Sequence, residues 1–96
     1  MPQSPSKPDA EIEEFGKAIG HRTRVHMLHL LSGGPKSVQA VVDAVGPISQ
    51  PAVSQHLRTL RNAELVSGKR VGHEVHYAFN PEQYSRMLHA LAIKRS

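Results

Sequence analysis

The side chains best suited to chemistry lie close together in Ser49-Gln50-Pro51-Ala52-Val53-Ser54-Gln55-His56-Leu57-Arg58-Thr59-Leu60-Arg61. Gln50, Ser54, Gln55 and Arg58 bring amides, a hydroxyl and a guanidinium, with no acid among them. That chemistry suits a nucleic acid. A glutamine can pair with adenine in the major groove, an arginine with guanine or phosphate, and a serine with either bases or phosphate. A solvated surface helix would ordinarily mix in aspartate or glutamate. No serine–histidine–acid set, paired carboxylates or glycine-rich phosphate loop stands out, so no enzyme is expected.

A helix must hold these residues. Ser49 is a good N-cap, and Pro51 falls in the first turn, where its missing N–H costs nothing. Val53, Leu57 and Leu60 recur at i, i+4, i+7 as an apolar stripe. At about 100° per residue, Pro51, Ser54, Gln55, Arg58 and Asn62 take the opposite face. The helix N-terminus adds free N–H groups that suit a phosphate.

The 96 residues suffice for one domain, and 12 lysines and arginines against 8 acids give a net charge of +4. A mildly basic balance fits a polyanion partner without proving one. With no cysteine, disulfides, thiolate metal sites and thiol redox switching within the chain are excluded. No apolar run reaches membrane length, and no signal peptide is evident. The expectation is a cytoplasmic protein with no membrane partner.

Met1 to Pro8, rich in proline and serine, reads as a disordered tail (1–8), followed by a single domain (9–96). Asp9 can cap a first helix over Ala10 to Ile19, with Ile12, Phe15 and Ile19 on one face. A second helix, Arg22 to Ser32, is nearly apolar all round apart from its arginines and histidines, with Val25, Leu28 and Leu31 as its stripe; Gly33-Gly34-Pro35 stops it. Ser37 caps a short third helix ending near Val45. With the turn at Gly46, it and the fourth helix match a helix-turn-helix, whose second helix enters the major groove.

After Leu65 the period changes. Leu65 to Arg70 and Glu74 to Phe79 are β-prone, with Val71-Gly72-His73 as their turn. This predicts a two-stranded wing whose tip carries Lys69, Arg70 and His73, placed to meet phosphate. Asn80-Pro81 opens a last helix with Tyr84, Met87, Leu88 and Leu91 in an apolar stripe. The predicted fold is mainly α with one β-hairpin, a winged helix-turn-helix in the order ααααββα. Amphipathic helices at both ends exceed what one small core can cover. A homodimer through the first and last helices is therefore expected, with Phe15, Leu88 and Leu91 in or near the interface.

The run from Phe15 to Leu31 resembles the opening of the ArsR/SmtB family of winged-helix repressors. Ser49 to Val66 resembles that family's recognition helix and the start of its wing, and the Gly72 turn with His76-Tyr77 fits the return strand. The resemblance implies a dimeric bacterial or archaeal repressor on double-stranded DNA, bound to an operator of approximate two-fold symmetry. It also implies that Gln50, Ser54 and Gln55 read bases while Ser49 and Arg58 meet the backbone.

The chain departs from the family where many members sense metals. The Cys-x-Cys-Asp positions hold Ser37, Gln39 and Ala40, and last-helix ligand positions hold Pro81, Gln83 and Lys94. Neither usual metal site is expected, and no cofactor is implied. The seven histidines leave a minority alternative. His26 and His29 at i, i+3, or His89 on the last helix, could join an unusual metal site, although zinc needs three or four ligands. His56 is expected to pack or to make a capping hydrogen bond. A further alternative is a winged-helix module that binds another protein.

Overall fold

The structure, a computed structural model, describes residues 7–95, with side chains described from 9 to 93. Its elements run α1 (Lys7–Ile19), α2 (Arg22–Ser32), β1 (Lys36–Ser37), α3 (Val38–Val45), α4 (Gln50–Asn62), β2 (Val66–Val71), β3 (Glu74–Phe79) and α5 (Pro81–Arg95). The expected order is present, with one addition. Lys36 and Ser37 pair with Tyr77 and His76 of β3, so the sheet has three antiparallel strands in the order β1-β3-β2. Two residues are too few to show an alternating pattern, so sequence periodicity could not reveal β1.

The first helix also starts earlier than expected. It begins at Lys7, which places Asp9 in the first turn instead of at the cap and takes Lys7 and Pro8 out of the expected tail. Residues 1–6, the rest of that tail, lie outside the described residues.

Phe15, Met27, Leu31, Val41, Val53, Leu57, Leu60, Leu65 and Met87 fill the core, so every helix contributes. Phe15 is only 1% exposed and meets the Tyr84 ring edge-on at a centroid distance of 5.8 Å. It belongs to the protomer's own core and has no surface to offer a partner, contrary to its expected place in a dimer interface. Val25 shows the opposite departure. It is 49% exposed, while Met27 joins Leu28 and Leu31 inside.

The caps follow from residue type. Ser37 and Ser49 accept from the backbone N–H groups of Ala40 and Ala52, and Asn80 Oδ1 accepts from Gln83 N. Gly72, with φ +64, opens the two-residue Gly72-His73 turn of the wing, where a positive φ suits the strand twist.

Helix α4 ends in a paired motif: Glu64 N donates to Arg61 O and Leu65 N to Leu60 O. This motif wants a left-handed residue at Glu64, usually glycine, and Glu64 supplies φ +60. A side chain there costs about 1–2 kcal/mol, partly offset by glycine's greater chain entropy. Glu64→Gly is therefore expected to stabilise the protein by about 0.5–1 kcal/mol. Urea unfolding monitored by circular dichroism checks this; a destabilised variant would contradict it.

Candidate nucleic-acid interface

Helix α4 is anchored on one side and open on the other. Val53, Leu57 and Leu60 are fully buried, which fixes the rotation of the helix. Gln50, Gln55 and Arg58 are consequently exposed, and Ser54 is half-buried. Arg58 Nη1 lies 3.4 Å from Gln55 Oε1, a long contact between two side chains still available to a partner. Ser49 stays exposed while its hydroxyl caps the helix.

The wing stands beside the start of this helix. Gln50 and Ser54 of α4, His73 at the turn, and Glu74 and Val75 of β3 line one open cleft of about 300 Å³, closed by Ser37, Val38 and Gln39. The structure thus brings two expected base readers together with the wing tip. Lys69 and Arg70 lie further along β2, both exposed, opposite His76 and Val75 in the ladder. Glu74 is an acid in this cleft that the sequence reading did not single out. Its carboxylate is 3.3 Å from His76 Nε2.

The last helix is tied to the end of α4. The Gln83 amide, buried, donates to Ala63 O at 3.1 Å, and Asn80 Nδ2 donates to Glu64 O at 3.2 Å. Arg86 donates to Gln83 Oε1 and to Glu11 of α1 at 2.8 Å. The Gln83–Ala63 bond joins residues 20 apart along the chain, so no local pattern marks it. Further along α5, Leu88 and Leu91 are 43% and 37% exposed, so this stripe is open on the single chain. An apolar cleft of about 320 Å³ lies between α1, α2, β3 and α5, lined by Ile19, Val25, Leu28, His29, Phe79 and Tyr84.

Two of the histidines meet: the His21 and His56 rings lie 4.6 Å apart between centroids. His26, His29 and His89 are exposed. Among the described residues, no group of three or more histidines and acids is close enough to hold a metal ion. His21 instead caps α2, its Nδ1 accepting from Thr23 N at 3.1 Å. His56 is hydrogen-bonded across helices to Arg24, not to a helix end. No described helix is long and apolar enough to cross a membrane.

Comparison with known proteins agrees with this geometry. The family profile described as "Bacterial regulatory protein, arsR family" matches residues 21–67, from the second helix into the wing. The transcriptional repressor SdpR of Bacillus subtilis is 38% identical over 67% of this chain and 70% of its own. The crystal structure of NolR from Sinorhizobium fredii superposes with a TM-score of 0.72 at 35% identity, covering 96% of this chain and 93% of that one. The homodimeric winged helix-turn-helix DNA-binding domain Mb0332 of Mycobacterium bovis gives a TM-score of 0.75 at 22% identity over 99% and 91% of the two chains, a likeness of fold. The buried stripe and open polar face of α4, the wing beside it and these matches lead to one assignment: the chain belongs to the ArsR family of winged helix-turn-helix, DNA-binding transcriptional regulators.

Proposed function

We propose that this regulator is a cytoplasmic repressor that binds, as a homodimer, an operator of approximate two-fold symmetry. Gln50, Ser54 and Gln55 read base edges from the N-terminal half of α4. Ser49, Arg58, Lys69, Arg70 and His73 hold the phosphate backbone. The observation that carries this reading is the cleft shared by Gln50, Ser54 and His73. It sets the wing tip beside the start of an acid-free helix face, the arrangement needed to hold backbone and groove together. The second copy is supported by the open Leu88–Leu91 stripe and by the homodimeric state named for the Mycobacterium bovis domain. The repressor role is supported by the relative SdpR.

The wing supplies the test. Phosphate contacts release counterions, and the log–log dependence of affinity on salt counts them. Arg70→Ala is expected to weaken operator and random duplex alike and to lower the salt slope by about one unit. Fluorescence anisotropy across a salt series reads both. An unchanged slope would show that the hairpin does not touch DNA.

A further inference from the structure

Arg24 joins three helices. From α2 its Nε donates to Ala18 O at 2.9 Å and its Nη2 to Lys17 O at 2.7 Å. Both carbonyls lie in the last turn of α1, where helix carbonyls lack partners and a cation is favoured. Its Nη1 lies 3.2 Å from Nδ1 of His56, in the middle of α4. A guanidinium can only donate, so Nδ1 accepts and the neutral ring carries its proton on Nε2. The His21 ring stands beside it, 4.6 Å away between centroids.

We propose that Arg24 and His56 are a positioning pair that sets the recognition helix against α1, and that the pair holds only while His56 is neutral. The proposal rests on the reading of α4 as the DNA-reading helix. A protonated His56 has N–H groups on both nitrogens, so Nδ1 could no longer accept from Arg24 and two cations would face each other. The groups acting on His56 from its packing neighbours are His21, in the turn before α2, and Arg24 on α2. Both oppose a proton there, and neither is an acid.

Burial first, then His21 and Arg24, lowers the His56 pKa below its ordinary 6.5. The folded chain therefore binds this proton less readily than the unfolded chain. The stability tied to neutral His56 is fully present above 6.5 and is lost as pH falls through the folded value. A major-groove helix must sit at a fixed angle in both halves of an operator, so the same proton should weaken DNA binding.

The test compares the wild type with His56→Gln, which keeps an acceptor for Arg24 and cannot be protonated, and with His56→Lys, which fixes a positive charge. Anisotropy on an operator duplex and NMR of the histidine rings are followed from about pH 7.5 down through the His56 titration that the NMR reads. Other protonations act alike on the wild type and His56→Gln, so their difference isolates His56. Relative to His56→Gln, the wild type is expected to lose about fivefold or more in affinity towards acid. His56→Lys, if folded by circular dichroism, should bind weakly even at the upper pH. Parallel profiles for the wild type and His56→Gln would overturn the proposal.

Arg24→Gln provides a readout without DNA. Its His56 ring should titrate at higher pH than in the wild type, and an unchanged titration would overturn the pair. If no protein binds any duplex, the DNA reading of α4 fails, and the ring titration still decides whether Arg24 and His56 are coupled.

Discussion

Replacing Leu88 and Leu91 together with aspartate is expected to turn a dimer into a monomer and to weaken operator binding by at least about a hundredfold. Both side chains are exposed on the single chain, at 43% and 37%, so the change leaves the protomer core untouched. Burying a leucine side chain contributes about 1.5–3 kcal/mol. Two-fold symmetry makes every interface residue count twice. A charge placed there would have to be buried unpaired or keep the subunits apart. The DNA effect follows because each protomer would then hold one half-site without help from the other. Sedimentation velocity at tens of micromolar, about 10–50 μM, with anisotropy on the same samples, checks both. A double variant that stays dimeric would move the interface off α5. Phe15, buried within the protomer, serves as the contrast: Phe15→Ala should cost about 3–5 kcal/mol of stability through its cavity.

The second large effect is one of discrimination. Gln55→Ala is expected to weaken operator binding by about tenfold or more while leaving binding to random duplex almost unchanged. The Gln55 side chain is exposed, and Arg58 Nη1 meets its Oε1 only at a long 3.4 Å, so its loss disturbs nothing inside. A good base contact is worth about 1–3 kcal/mol. Freed from Gln55, Arg58 should still meet phosphate, which keeps the sequence-independent binding. Equal losses on both DNAs would show that this face of α4 does not read bases.

Much of this architecture was legible because local rules agreed with one another. The Val53, Leu57, Leu60 spacing set the rotation of α4, and Ser49 with Pro51 set its start. Gly72 marked the turn of the wing, and Asn80-Pro81 the start of α5. The features that were not legible depend on partners distant in sequence. Strand β1 exists only because Lys36 and Ser37 lie along β3. Val25 fits the periodic stripe of α2, yet it lines an open cleft, because periodicity gives a direction and not the extent of the neighbour in that direction. Phe15 could have faced a partner or the core, and Tyr84, 69 residues away along the chain, settles it. The Arg24–His56 contact spans α2 and α4 and left no local signal. His56 sits at the edge of the α4 stripe, and Arg24 is one of two arginines on an otherwise largely apolar helix.

The central claim is that α4 reads bases in a two-fold symmetric site. Selection from random duplexes by the intact protein tests it most directly. The predicted result is enrichment of an inverted repeat whose half-site centres lie about one helical turn, about 10 bp, or a multiple of that apart. It should be lost with Leu88 and Leu91 both changed to aspartate and altered in preference with Gln55→Ala. No enriched sequence at low salt, or a single unrepeated motif, would contradict it.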